Sequence, residues 1–116
     1  MRHRNTTKIL DRKVAPRKAM LENMATSLVL YEKIVTTEAK AKVLKPMIEK
    51  LITRGKVKSV HNKQQLNRVL ADKKATQKIL DVLGPKYKDR QGGYTRIIKM
   101  GPRQGDGAAM VQIEFV

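Results

Sequence analysis

The chain has 116 residues, enough for one domain with a real core and too few for two. Apolar residues make up 41% of it, but only three Tyr and one Phe are aromatic and Cys is absent, so the core is expected to be aliphatic and disulfides and Cys-ligated zinc are excluded. Lys and Arg number 26 against 10 Asp and Glu, and a formal net charge of +16 asks for an anionic partner.

The first eighteen residues concentrate that charge. They carry seven Lys/Arg against the single acid Asp11, with Ile9, Leu10 and Val14 as the only sizeable aliphatic residues after Met1. Burial cannot offset the ordering entropy of such an arm, so residues 1–15 are expected to be mobile alone and ordered by an anionic partner. Residues 16–116 are expected to form one domain. Pro16 suits a first helical position, where its missing N–H costs nothing. Met20, Leu21, Met24, Ala25, Leu28 and Tyr31 then recur at three- and four-residue spacing, with Glu22, Asn23 and Thr26 opposite. The pattern predicts an amphipathic helix over 16–32.

Ile34-Val35-Thr36-Thr37 is β-branched throughout and predicts a short strand. Thr37 can cap the next helix, with Glu38 against its positive end. Val43, Leu44, Met47, Ile48, Leu51 and Ile52 form the buried stripe of that helix, while Lys42, Lys45 and Glu49 point away. Pro46 should bend it near Lys42, and Gly55 can end it in the left-handed conformation. Lys56 and Lys58 follow in a basic turn.

Leu66, Val69 and Leu70 predict a short helix over 61–71. Ala75, Ile79, Val82 and Leu83 predict another over 73–83, stopped by Gly84-Pro85. A polar, basic loop over 86–93 leads to strand candidates at 94–100 and 108–116, joined by the glycine-rich 101–107 hairpin loop. In the last strand Ala109, Val111, Ile113 and Phe115 alternate with Met110, Gln112 and Glu114. The order of elements predicts an α+β fold, a small three-stranded sheet covered on one face by about four helices.

No stretch approaches the roughly 18 apolar residues of a membrane span, and the N-terminus lacks the apolar core of a signal peptide, so a soluble, cytoplasmic protein is expected. Among anionic partners, nucleic acid fits best. Helices that bind membrane surfaces pair a basic face with exposed Trp, Phe or Leu, whereas Trp is absent here and Phe115 lies at the opposite end from the arm.

Signals for catalysis are poor. His3 and His61 lack metal-ligand spacing, the acids are scattered singly, and 101–107 lacks the Lys-Ser/Thr ending of a P-loop. No cofactor and no metal are expected. The better chemical signal is Asp89-Arg90-Gln91-Gly92-Gly93-Tyr94-Thr95-Arg96-Ile97-Ile98-Lys99. There Gly92 and Gly93 can let backbone N–H groups approach phosphate, Arg90 and Arg96 can fork onto its oxygens, and Tyr94 can stack. The plainer reading is that the glycines only start a strand and Tyr94 packs.

Met1-Arg2-His3-Arg4, Arg17-Lys18-Ala19-Met20-Leu21, Asn23-Met24, Ser27-Leu28, Ile34-Val35-Thr36-Thr37, Lys40-Ala41-Lys42, Leu51-Ile52-Thr53 and Gly92-Gly93-Tyr94-Thr95-Arg96-Ile97 occur in one order. In these motifs the chain resembles the bacterial large-subunit ribosomal protein L-seventeen family from Met1 to Val116, most weakly over 56–83. The resemblance implies a structural protein bound to large-subunit ribosomal RNA near the peptide exit region, beside other ribosomal proteins, with a small mixed sheet. The chain departs from the family pattern at Asp11, where Gly or Asn is usual, and at Ala15-Pro16, which replace a common Ser-His. An acid at 11 weakens local phosphate attraction, and the second change removes polar groups from the helix start.

The residues expected to contact rRNA are therefore Arg2, His3, Arg4, Lys8, Arg12, Lys13, Arg17, Lys18, Lys40, Lys42, Arg90, Gly92, Gly93, Tyr94, Arg96, Lys99 and Arg103. Of these, Arg2, Arg4, Arg12, Arg17, Arg90 and Arg96 are expected as phosphate clamps, because a guanidinium fork matches phosphate oxygens better than an ammonium does. The alternative is a free nucleoid or other nucleic-acid-binding module, although no clear recognition-helix pattern or dimer heptad is present. Neither a membrane nor a small-molecule substrate is expected as a partner.

Overall fold

The computed structural model describes residues 14–116, and the segment through Lys13 lies outside the described residues. Helix α1 spans Val14–Tyr31, beginning before Pro16. Its buried residues are Ala25, Thr26, Leu28 and Val29, whereas Tyr31, expected on the buried stripe, is 72% exposed at the helix end. Thr26, expected on the polar side, is buried too. Its Oγ1 donates to the Glu22 carbonyl at 2.9 Å and accepts from the Ala71 N–H at 3.1 Å. The chain leaving α3 covers this side, so α1 is enclosed over a wider arc than one stripe predicts.

Strand β1 (Lys33–Thr37) runs directly into helix α2 (Glu38–Gly55). Thr37 occupies the cap position with extended backbone but makes no side-chain capping bond. The helix is continuous across the exposed Pro46 and buries Ala41, Leu44, Ile48, Leu51, Ile52 and Gly55. Gly55 is not the expected left-handed terminator, since the right-handed path continues into Lys56 (φ −65°, ψ −31°). Its role is steric, because a Cβ on Gly55 would collide with Cγ2 of Ile79.

Helix α3 (Val60–Val69) is capped by Ser59, whose hydroxyl accepts from the Asn62 N–H at 3.1 Å. Helix α4 (Lys73–Lys78) is capped by Asp72, which accepts from the Lys74 N–H at 2.8 Å. The helical path does not stop at Gly84-Pro85 as expected. It widens into a π-helical turn, Ile79–Leu83, and continues as the short α5, Gly84–Lys86. Pro85 has no N–H to donate and its ring crowds the carbonyl four residues back, a conflict that a wider turn relieves. The turn also shifts the helix phase, so Leu80 is buried and Val82, expected inside, is 50% exposed.

Strands β2 (Thr95–Pro102) and β3 (Ala109–Phe115) form a hairpin, and β1 pairs on the far side of β3, giving the order β1-β3-β2. Both pairings are antiparallel, so the α+β class and three strands are as expected but the sheet is not mixed. With β3 central, each neighbour runs opposite to it. The cross-strand row Ile34, Ile113, Ile97 lies on the covered face, and Lys33, Glu114, Arg96 form a row on the other. A register shift between Lys99 and Gly101 leaves Met100 as a bulge residue, 55% exposed.

Helix α2 packs against β3 and brings its stripe onto a core that includes Leu28, Leu44, Ile48, Ile52, Leu66, Ile79, Leu83 and Ile113. The core is not purely aliphatic. Tyr87 and Tyr94 are 3% and 1% exposed, with ring centroids 5.2 Å apart, and Tyr87 also lies 6.4 Å from the Phe115 ring. Three of the four aromatic residues thus gather at one place, where few are enough to make an aromatic cluster.

Candidate nucleic-acid interface

Arg2, His3, Arg4, Lys8, Arg12 and Lys13 lie outside the described residues. In the first turns of α1, Arg17 is half-buried and Lys18 is exposed. Helix α2 carries Lys40, half-buried, and Lys42, exposed. Lys42 Nζ lies 3.0 Å from Glu38, one helical turn earlier, so its charge is partly offset. The Lys42 ammonium, by hydrogen bond and charge, holds the Glu38 carboxyl below its ordinary range, and Lys99 adds to this from β2. The fold therefore gathers Lys42 and Lys99 about one acid.

Acids from outside the 91–105 segment meet both Arg96 and Arg103 in the fold. Arg96 Nε donates to Glu114 Oε1 at 2.7 Å, across the β2–β3 pair, and draws the Glu114 carboxyl below its ordinary value. Arg103 bonds Asp106 within the hairpin loop at 3.0 Å through Nε, which raises its own pKa and lowers that of Asp106. Scanning only the 91–105 window misses both acids, because strand pairing and the loop supply them. Arg96 keeps 60% of its side-chain surface exposed, and Arg103 keeps 48%, so each can still present donors to phosphate.

Tyr94 is corrected most sharply. With 1% exposure its ring has no free face for a base. Its hydroxyl donates to the Arg90 carbonyl at 3.1 Å and meets Thr53 Oγ1 at 3.3 Å, while its N–H donates to Glu49 Oε1 at 3.2 Å. Lys56 Nζ stands 4.8 Å from the ring centroid and also donates to the Arg90 carbonyl. The Lys56 ammonium first, then Thr53 and the Gly92 backbone, draw the phenol down to about 8. A small sheet needs a large residue to close its end, and an aromatic beside a turn fits that as well as it fits stacking.

Gly92 and Gly93 adopt φ of +78° and +63°, so both serve a backbone path that side chains rarely adopt. A Cβ on either would meet none of the described residues within 4 Å, which leaves them no barrier to the approach of another molecule. Arg90 is exposed beside them, with its carbonyl occupied by the Tyr94 hydroxyl and the Lys56 ammonium.

Sequence reasoning passed over a further set of cations. Lys50 and Arg54 on α2, and Lys63, Arg68, Lys73 and Lys74 on α3 and α4, are exposed, and no acid among the described residues forms an ion pair with them. The signal that could have found them was the low count of acids over 50–74, where only Asp72 occurs and serves as a helix cap. No helix among the described residues is long and apolar enough to cross a membrane.

Comparison with known proteins bears on these surfaces. The family model described as Ribosomal protein L17 matches residues 20–116. A protein of Bradyrhizobium diazoefficiens named large ribosomal subunit protein bL17 is 51% identical over 116 residues, covering 100% of this chain and 84% of that protein. Proteins of the same name from Syntrophotalea carbinolica and a Thermoanaerobacter species are 46% and 49% identical, over 100% and 92% of this chain and 75% and 96% of theirs. With a family model running from within α1 past the end of β3 and relatives near half identity along the chain, the protein belongs to the ribosomal protein L17 family.

Proposed function

We propose that the chain is a structural constituent of the large ribosomal subunit that binds large-subunit rRNA and performs no catalysis. The observation that carries this is the relationship along the whole chain to proteins named for that subunit, joined to a net charge of +16. In this reading residues 1–15 are a basic RNA-binding arm and residues 16–116 are the α+β domain it anchors. Arg2, Arg4, Arg12, Arg17, Arg90 and Arg96 clamp phosphate, Lys40, Lys42 and Lys99 add charge, and Gly92-Gly93 keep the backbone open toward RNA. Folded RNA shape supplies the specificity. Its place is the ribosome of a bacterial-type cytoplasm, beside other large-subunit proteins near the peptide exit region.

Co-sedimentation tests the proposal. In high-salt sucrose the protein is expected to travel with large subunits. Release from subunits together with retention on chromosomal DNA would instead make it a free nucleoid-type module.

A further inference from the structure

A groove of about 540 Å³ opens between the last turns of α2, the start of α3 and the segment before β2. Its size is that of a small-molecule site. Lys50 and Arg54 lie on its α2 side, four residues apart, so their heads can reach one phosphate from adjacent turns. Neither forms an ion pair with an acid among the described residues. Glu49, the acid on the wall, is already engaged by the Tyr94 N–H at 3.2 Å and by Lys45 at 3.8 Å.

The rest of the lining suits a base. Val57 is 64% exposed, an unusual apolar surface among cations. Asn62 lines the groove with its amide fixed, because Nδ2 donates to the Val57 carbonyl at 2.8 Å. That bond leaves Oδ1 as an acceptor for the N–H groups on a base edge. Gly92, without a Cβ and with nothing within 4 Å of where one would be, leaves the opposite wall low.

We infer that this groove holds a single unpaired nucleotide of the RNA, its phosphate between Lys50 and Arg54 and its base on Val57 beside Asn62. The inference rests on the RNA-binding reading above and adds a site to it. The ligand chemistry is that of a nucleoside monophosphate, so the source is an extruded nucleotide of a strand or a free mononucleotide. The strand is favoured because exposed cations without an ion pair among the described residues continue beyond the groove on α3 and α4, where a strand could run and a mononucleotide could not reach.

The test uses the full chain labelled with nitrogen-15, titrated with a short single-stranded oligoadenylate and separately with AMP. The oligonucleotide should move the amides of Lys50, Arg54, Val57, Asn62 and Gly92 and bind more tightly than AMP. Lys50→Ala with Arg54→Ala should weaken it by roughly a hundredfold, as expected when two charge-assisted bonds are removed. The salt slope should fall by about 0.7 for each cation removed. Val57→Glu, at an exposed position where folding is unaffected, should abolish the shifts by placing an anion in the groove. Lys73→Ala with Lys74→Ala is the control for charge alone. The inference is overturned if the groove amides do not move, or if the groove variant loses no more affinity than the control. Equal affinity for AMP and oligonucleotide overturns the strand as the source. Binding of the same variants to large subunits is followed in parallel, so a failed groove with retained subunit binding counts against this site and not against the ribosomal reading.

Discussion

Gly84 presses its backbone against the main-chain carbonyl of Gly55. A Cβ on Gly84 would overlap the Gly55 carbonyl oxygen and lie 3.0 Å from both the Gly55 carbonyl carbon and the Ile79 carbonyl oxygen. Two chain segments far apart in sequence thus meet closely because neither carries a side chain. The junction ties the end of α2, which borders the groove, to the start of α5.

Gly84→Ala should therefore destabilise the fold by about 1–3 kcal/mol or more, since the obstacle is backbone and cannot rotate away. The gain in helix propensity of about 1 kcal/mol does not offset that. Gly55→Ala should cost less, because its obstacle is a methyl of Ile79 that can shift, though Ile79 is itself buried. Thermal unfolding checks the order. Equal melting temperatures for Gly84→Ala and the parent would contradict the close approach.

Tyr94 offers a second test of packing. Tyr94→Leu should cost about 3 kcal/mol, within the range for truncating a buried aromatic. Tyr94→Phe should cost only about 1 kcal/mol, because the Arg90 carbonyl keeps its bond from Lys56. RNA affinity of the folded fraction should stay the same in both. A loss of affinity with no change in melting would return the ring to a stacking role.

These two cases show what local pattern carries and what it does not. The α2 stripe of Leu44, Ile48, Leu51 and Ile52 was legible because one face of that helix meets the core at a steady period. The strands were legible for the same reason, through β-branched runs and alternation. Thr26, Val82 and Tyr94 were not, since their burial or exposure depends on a second covering segment, on a phase shift at the π-helical turn, or on closure of the sheet end. Charge behaved likewise. Total charge pointed to nucleic acid, but the pairing of Arg96 with Glu114 exists only once β2 and β3 are in register. The shared groove of Lys50, Arg54 and Gly92 likewise exists only once the end of α2 and the segment before β2 come together.

The Arg96–Glu114 pair predicts a pH response. Arg96 lowers the folded-state pKa of Glu114, so its stabilising contribution is present above the unfolded value near ~4.3 and is lost as pH falls through the folded one. The pair is exposed on the Arg96 side, and the contribution is small and screened by salt. Arg96→Gln should raise the Glu114 midpoint toward its ordinary range in a carbon-13 titration, with Gln112 and Lys33 still holding it somewhat low. An unchanged midpoint would mean that Arg96 does not hold that carboxylate in solution.

The arm separates affinity from stability. Replacing Arg2, Arg4 and Arg12 together by Ala should leave melting nearly unchanged, because a polybasic segment so poor in apolar residues has little to add to a core. The slope of log K for rRNA against log salt should flatten by about 0.7–0.9 for each phosphate no longer neutralised. An unchanged slope would remove the arm from the RNA interface.

Gly92 and Gly93 test the turn against the interface at one place. Both have positive φ, so Gly92→Ala and Gly93→Ala should each cost about 1–2 kcal/mol of stability whatever the surrounding space. That loss alone says nothing of RNA, because an added methyl touches none of the described residues. The deciding quantity is the rRNA affinity of the folded fraction, measured well below the melting temperature. If RNA backbone comes close to these residues, the added methyl meets it and affinity falls along with stability. Lost stability with unaltered affinity would confine both glycines to shaping the turn that delivers Tyr94 to the core.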